Sequence, residues 1–236
     1  MKNSVNALLL IALAGPLSGC GKGNEQDLKA LQAKIAKDEE KRQQDEVANY
    51  KYSLNDGATI CLRQVQARLG AGAMVGEILS NFEKPETLTG LPVYGARPKP
   101  GTLSGCRADY QDPANPQKML RLEMNAKTGE FSAPKPLEIK VLGGDDAAKF
   151  DLNKHVSPIK KWNLDAVEKL ISAQNGAAEK AFSIYQIDST SLKMDPFQGR
   201  FEIRASFAGR LKGNDLLQDK GVSVLADGTK VTSAFR

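Results

Sequence analysis

Apolar residues form one continuous run near the start of the chain and afterwards recur in short periodic stretches. The run extends from Ala7 to Leu17, follows the positively charged Lys2 and is broken by Gly15 and Pro16. About 20 apolar residues are needed to span the hydrocarbon of a bilayer, so the run is too short for a transmembrane helix. A charged start, a short apolar core and small residues before Cys20 are typical of a cleaved secretory signal peptide.

The next segment, residues 22–49, is polar and has the composition of a helix. From residue 25 to 49 there is no proline or glycine, and Ala, Lys, Glu, Gln and Leu dominate. Leu28, Leu31 and Ile35 share one face, but three apolar positions are fewer than a coiled coil requires. The pattern predicts a solvent-exposed helical stalk that could span up to ~37 Å. Pairing of its first turns with a partner helix or a second copy is the alternative.

Two later stretches repeat their apolar residues at helical spacing. Cys61, Val65 and Leu69 recur every four residues, and a second stretch runs from Leu164 to Ile171. Each is expected to place one apolar stripe on the body of the protein. Capping residues and terminal glycines bound both helices: Asn55, Asp56, Gly70 and Gly72 for the first, and Asn163 and Asn175-Gly176 for the second.

After each predicted helix, apolar and polar residues alternate as they do in half-buried strands. The clearest alternations are Cys106-Ala108-Tyr110 and Phe201-Ile203-Ala205-Phe207. The other predicted strands cover residues 74–82, 119–124, 137–141, 181–187 and 222–226. Two segments without alternation, 82–105 and 188–199, are predicted to be exposed loops, the first because prolines and glycines punctuate it.

The order helix, strand, loop, strand, loop, strand, tight turn, strand therefore occurs twice. It predicts an α+β fold with two tandem helix-on-antiparallel-sheet units preceded by a helical stalk. The expected boundaries are 1–19 for the signal peptide, 20–52 for the N-terminus and stalk, 53–142 for the first unit, 143–162 for a linker and 163–236 for the second unit. The alternative is that helices followed by meanders occur in many α+β chains without being repeats.

The composition agrees with a globular body and limits the classes of partner that the protein could bind. The chain has 236 residues, 41% of them hydrophobic, which suits one large or two small domains. Its net charge is +5, and removing Lys2 with the signal peptide leaves 32 basic and 28 acidic side chains, or +4. Weak contact with anionic lipid or cell-wall polymers is one interpretation of this mild excess; a solvated basic surface is the other. An exported protein does not meet nucleic acid.

The cysteine count predicts a disulfide. With Cys20 set aside, Cys61 and Cys106 form an even pair in an oxidising compartment. If the first helix lies across the sheet, the bond joins that helix to the first paired strand. A zinc site needs four ligands and a redox motif needs Cys-x-x-Cys, and this sequence offers neither pattern.

No catalytic, cofactor-binding or metal-binding residue is predicted. His155 is the only histidine and falls in the predicted linker, where a surface position is expected. Asp145-Asp146 lacks the regular oxygen ligands of a calcium loop. Trp162 is expected to pack against the second helix, and a contact surface beside Lys160 and Lys161 is the alternative. A pair of carboxylates assembled in space stays open.

Leu17-Ser18-Gly19-Cys20 resembles the lipobox of bacterial lipoprotein precursors. The resemblance implies cleavage before Cys20, acylation of its sulfur and its new amino group by fatty acids such as palmitate, and anchoring to a membrane. Two or more fatty-acyl chains make such an anchor stable. For a Gram-negative source, Gly21 in the place of an aspartate implies the outer membrane, facing the periplasm. An ordinary cleaved signal is the alternative.

The body resembles two groups of exported proteins. A strand, a turn containing Thr128-Gly129 and a further strand after a helix are similar to the PepSY-type periplasmic domain. Two helix-on-sheet units with a helix-to-sheet disulfide resemble the tandem repeats of beta-lactamase inhibitory proteins. Both resemblances imply a non-enzymatic binding module, an accessory subunit or inhibitor of a periplasmic protein or machine, with no cofactor. The alternatives are a cell-wall or lipid hydrolase with a carboxylate pair, and a structural spacer between the outer membrane and the cell wall.

Overall fold

The computed structural model describes residues 50–89, 97–139, 150–195 and 198–235, together with residues 31, 33–35 and 37. Residues 31, 33–35 and 37 are helical and exposed, and Leu31 and Ile35 are each 55% exposed. The signal peptide and the rest of the predicted stalk lie outside the described residues. The described residues from 50 onward belong to one compact unit.

Nine strands of this unit form one antiparallel sheet. They are β1 (Met74–Phe82), β2 (Leu103–Asp112), β3 (Asn115–Glu123), β4 (Lys135–Leu137), β5 (Ser157–Pro158), β6 (Phe182–Asp195), β7 (Arg200–Leu211), β8 (Leu217–Leu225) and β9 (Val231–Ser233). Their order in the sheet is β4-β3-β2-β1-β6-β7-β8-β9, with β5 paired to β1. Three helices, α1 (Ile60–Leu69), α2 (Leu164–Ser172) and α3 (Asn175–Ala181), pack on the sheet. The fold is therefore mixed α+β with a large antiparallel sheet.

β1 and β6 join the two halves of the chain in the middle of the sheet. Ile78 lies opposite Leu192, and Ser80 lies opposite Thr190. Both hydroxyl residues are fully buried: Ser80 Oγ donates to the carbonyl of Thr190 at 2.9 Å, and Thr190 Oγ1 donates to the carbonyl of Ala58 at 2.9 Å. These hydrogen bonds satisfy the polar groups that are buried where the two halves meet. The main hydrophobic cluster of the core contains residues from both halves.

The first helix carries the predicted stripe of Cys61, Val65 and Leu69 but begins differently from the prediction. Asn55 and Asp56 do not cap it, because they lie in a separate short 3₁₀ turn, Leu54–Asp56, whose N-cap is Ser53. The N-cap of α1 is Thr59. Gly70 ends the helix as predicted, with a φ of 79° that favours glycine.

A carboxylate from α2 completes the start of α1. Glu168 accepts hydrogen bonds from the backbone N–H groups of Ala58 at 3.0 Å and Thr59 at 2.9 Å, and from the Thr59 hydroxyl at 2.7 Å. The first N–H groups of a helix have no partner within the helix, so Glu168 supplies an acceptor that the local sequence lacks. The contact ties the helix of the first half to the helix of the second.

The second half departs from prediction at two points. Asn163 caps α2 as predicted, accepting from the N–H of Ala166 at 3.1 Å, but this helix ends at Ser172, and Asn175-Gly176 begins α3 instead of ending α2. The predicted loop 188–199 is wrong for most of its length, because β6 continues to Asp195. A bulge between Ile187 and Ser189 breaks the alternation there.

The segment that precedes α2 packs on the body. β5 pairs with the start of β1, and Leu152, Ile159 and Trp162 are buried. In the strand predicted for 137–141, Leu137 is the last residue of β4, and residues 140–149 lie outside the described residues.

Candidate functional site

The predicted disulfide between Cys61 and Cys106 is confirmed. It joins α1 to β2 across a sequence separation of 45 residues, with 5.6 Å between the two Cα atoms. Cys61 is fully buried and Cys106 is 5% exposed. A buried bond of this kind supports the fold and is not placed to exchange with other thiols.

The face of the sheet opposite the helices is polar, and we call it the polar face. Residues that pair across neighbouring strands point to the same side, so the register defines rows that cross it. One row runs from β2 to β9 through Arg107, Leu79, Ser191, Arg204, Ser223 and Thr232, and the next through Gly105, Asn81, Ser189, Ser206 and Gly221. Their side chains alternate with the buried residues that face the helices.

Several charged side chains on the polar face are paired within the protein. Arg121 makes a bidentate contact with Asp109 through two hydrogen bonds of 2.7 Å, which raises the pKa of the Arg121 guanidinium above its ordinary value. Arg107 reaches Glu77 at 3.3 Å. Arg204 lies 3.3 Å from Asp195, and the same guanidinium lies 3.5 Å from a carboxylate oxygen of Glu202. These pairs leave the face close to electrically neutral.

Two segments cover the ends of the polar face and leave its centre open. Leu152 and Val156 pack on Met119 of β3. On β7, Arg210 Nε donates to the carbonyl of Thr87 at 2.8 Å, and Leu88 beside it is buried.

Between the two covers lies the central strip, composed of Asn81, Ser189, Ser191, Ser206 and Ser223, all at least partly exposed. Within the part of the chain that the structure describes, the hydroxyls of Ser191, Ser206 and Ser223 have no hydrogen-bond partner, nor has the amide of Asn81.

A pocket of about 530 Å³ opens where the end of α1 meets the ends of β2 and β3. We call it the α1–β2 pocket. Its wall is mainly apolar and contains three prolines, with a few polar groups at the rim. The lining includes Arg68, Gly72, Met74, Tyr110, Asp112 and Leu122.

Tyr110 is the most buried polar group of this pocket. The residue is 6% exposed, and its hydroxyl has no hydrogen-bond partner among the described residues. Burial, together with the nearby carboxylate of Asp112, raises the pKa of the Tyr110 hydroxyl, while the cationic Arg68 opposes that shift. The phenol is therefore protonated at neutral pH and is able to donate a hydrogen bond.

Of the other residues singled out in the sequence, the structure describes His155 and Trp162. Cys20 and Asp145-Asp146 lie outside the described residues. His155 is exposed, as predicted, and stacks on Phe150 with 4.9 Å between ring centroids. Trp162 is buried and donates from Nε1 to Ser157 Oγ at 3.3 Å, which agrees with the predicted packing role.

Sequence reasoning missed both the central strip and the α1–β2 pocket. Each is assembled from segments far apart in the chain, and the serines at positions 189 and 191 were assigned to a predicted loop. The available signal was the alternation of Ser189, Ser191 and Lys193 with Thr190 and Leu192, which has the period of a strand.

Two features are absent from the described residues. No helix among them is long and apolar enough to cross a membrane. No group of three or more His, Cys, Asp or Glu side chains among them is arranged to hold a metal ion.

No family model matches the chain, and no curated protein matches it. Among solved structures, the chain is similar to a protein from Clostridium difficile 630 described as a "putative lipoprotein". The two share 13% identity over 78% of this chain and 94% of the other, with a TM-score of 0.34. At this level the match carries no argument about fold or function.

Proposed function

We propose that this protein is an envelope lipoprotein that is anchored through Cys20 and binds another envelope protein through the polar face of its sheet. In this proposal it is not an enzyme; it acts as an accessory subunit or an inhibitor. The lipobox Leu17-Ser18-Gly19-Cys20 supports the anchor, and Gly21 supports the outer membrane of a Gram-negative cell, with the body facing the periplasm.

The observation that carries the binding proposal is the central strip. The hydroxyls of Ser191, Ser206 and Ser223 and the amide of Asn81 have no hydrogen-bond partner among the described residues, and they are at least partly exposed on a continuous sheet. A typical protein–protein interface contains about 10 direct hydrogen bonds, and short side chains on strands supply them at little cost in conformational entropy. Because the neighbouring charges already pair with one another, hydrogen bonding and shape, not net charge, would select the partner.

The strand order also supports the tandem-unit interpretation. β1 to β4 follow one another outward on one side of the central β1–β6 pair, and β6 to β9 do so on the other. Arg107 in β2 and Arg204 in β7 hold matching positions, each one strand away from the centre in the same row. Two similar units joined edge to edge would produce this order and would double the width of the binding face.

Site-specific crosslinking in intact cells tests the binding proposal. A photo-crosslinking residue replaces Ser206 in the central strip and, as a matched control, Ser172 at the exposed end of α2 on the helical side. We expect a discrete crosslinked envelope protein from position 206 and not from position 172. Loss of that product on introducing Ser191→Arg, but not Ser172→Arg, would confirm that the strip makes the contact. Equal crosslinking from both positions would refute it.

A second experiment tests the anchor. Cells that express the wild type, Cys20→Ser or Ser18→Ala are labelled with a palmitate analogue. We expect label in the wild type and in Ser18→Ala, and none in Cys20→Ser. Label in Cys20→Ser, or an unmodified Cys20 by mass spectrometry of the mature protein, would refute lipidation.

A further inference from the structure

We propose that the α1–β2 pocket is a second binding site, which takes an uncharged peptide segment bearing an apolar side chain. The inference rests on the proposed function in one respect, namely that the segment would come from an envelope protein. The pocket lies apart from the central strip, so the two sites are tested independently.

The size and lining of the pocket fit a ligand of this class. Its volume of about 530 Å³ lies within the range of roughly 300–1,000 Å³ for small-ligand sites, which are mostly apolar with a few placed polar groups. Met74 and Leu122 contribute to the apolar wall. An apolar side chain that enters this space loses its contact with water, which is the main favourable contribution to binding.

The polar groups select an uncharged partner. Arg68 is exposed and has no ion pair among the described residues, and Asp112 uses one carboxylate oxygen to accept from the N–H of Ala114 at 2.9 Å. A cationic ligand would be attracted by Asp112 but repelled by Arg68. An anionic ligand would be attracted by Arg68 but repelled by Asp112. A peptide group places a donor and an acceptor side by side without net charge, so it can interact with both.

Tyr110 supplies a hydrogen-bond donor in the pocket wall. Its ring is buried, whereas its hydroxyl makes no hydrogen bond among the described residues and is open to the pocket. The protonated hydroxyl can donate to a ligand carbonyl.

The test follows the methionine methyl groups of the mature, lipidated full-length chain in lipid nanodiscs by NMR. Met74 lines the pocket, and Met194 of β6 is the internal reference. The probes are N-acetyl-L-phenylalaninamide, which is neutral, N-acetyl-L-phenylalanine, which is anionic, and L-phenylalaninamide, which is cationic. We expect a saturable shift of the Met74 methyl signal, and not of Met194, with the neutral probe binding most tightly.

Three variants locate the site. Tyr110→Phe removes only the hydroxyl and should weaken binding of the neutral probe about fivefold, the effect of one hydrogen bond, whereas Tyr185→Phe should not. Gly72→Trp should abolish binding, because Gly72 lines the pocket and a Cβ there meets no atom within 4 Å. Gly213→Trp, at another open turn glycine, should leave binding unchanged.

The proposal is overturned if no probe shifts Met74 saturably, if Gly72→Trp folds and binds normally, or if a charged probe or nanodisc lipid binds more tightly than the neutral probe. If Gly72→Trp does not fold, the Tyr110→Phe and Tyr185→Phe pair decides. None of these results depends on crosslinking from position 206, so failure of one proposal is distinguishable from failure of the other.

Discussion

The carboxylate of Glu168 accepts a hydrogen bond from the backbone N–H of Thr59 at 2.9 Å, although the two residues lie 109 positions apart. A helix N-terminus carries a partial positive charge and unpaired N–H groups. A carboxylate from the next helix therefore satisfies both needs and couples the two halves of the chain.

Glu168→Ala should destabilise the protein. The substitution leaves the N–H groups of Ala58 and Thr59 without their acceptor, at an expected cost of about 1–3 kcal/mol. Urea denaturation measures it as a lower midpoint with an unchanged slope. Lys169→Ala, at the adjacent exposed position of α2, should change stability by less than about 0.5 kcal/mol. Equal effects of the two variants would contradict the assigned role of Glu168.

Reduction of the disulfide should have a larger effect. Closing a loop over 45 residues restricts the unfolded chain and corresponds to about 4 kcal/mol in the chain-entropy model. Denaturation with and without a reducing agent measures the loss. The double variant Cys61→Ala/Cys106→Ala should unfold at the same lower denaturant concentration in both conditions. If the reducing agent destabilised this variant too, the effect would not come from the bond.

Gly209→Ala should destabilise the sheet by overpacking. A Cβ at Gly209 would lie 2.5 Å from the ring of Phe182, which is itself held edge-on against Phe235. Adding a methyl group to a well-packed core in this way lowers the free energy of unfolding by about 1–3 kcal/mol. Gly221→Ala in β8, where a Cβ meets no atom within 4 Å, is the control and should be neutral or slightly stabilising. Thermal or urea unfolding distinguishes the two.

Tyr110 and Tyr185 should ionise at a higher pH than an ordinary tyrosine. Burial raises the pKa of both hydroxyls above the ordinary value of 10.0. A raised pKa means that the folded protein keeps a proton that the unfolded chain releases. The contribution of the two protonated hydroxyls to the free energy of unfolding is therefore fully present below pH 10.0. It is lost as pH rises through the higher folded-state pKa.

Absorbance at the phenolate band measures this titration. In Tyr110→Phe, the part of the titration above pH 10.0 that belongs to Tyr110 should disappear, while the part that belongs to Tyr185 stays. A wild-type titration in which every tyrosine ionised together near pH 10.0 would contradict the buried position of Tyr110.

The sequence predicted most elements of the fold from local patterns. The spacing of Cys61, Val65 and Leu69 predicted α1, and alternation predicted β1, β2 and β7. It also predicted the pairing of Cys61 with Cys106. These predictions succeeded because amphipathic periodicity reflects which side of a helix or strand is buried.

Other features were wrong or absent in the sequence interpretation because they depend on contacts between distant segments. The loop predicted around Thr190 is a central strand, and its polar residues are explained by Ser80 on the neighbouring strand and by solvent on the polar face. The acceptor for the start of α1 comes from Glu168 and not from Asn55 or Asp56.

By itself, the sequence determined α1, α2, most strands, the cysteine pairing and, through Leu17-Ser18-Gly19-Cys20, the prediction of a lipid anchor. Tertiary structure alone decided that β1 pairs with β6, that serines form a central strip, and that Tyr110 faces a pocket. Local patterns record whether a side chain is buried, whereas the identity of its neighbour depends on how distant segments pair.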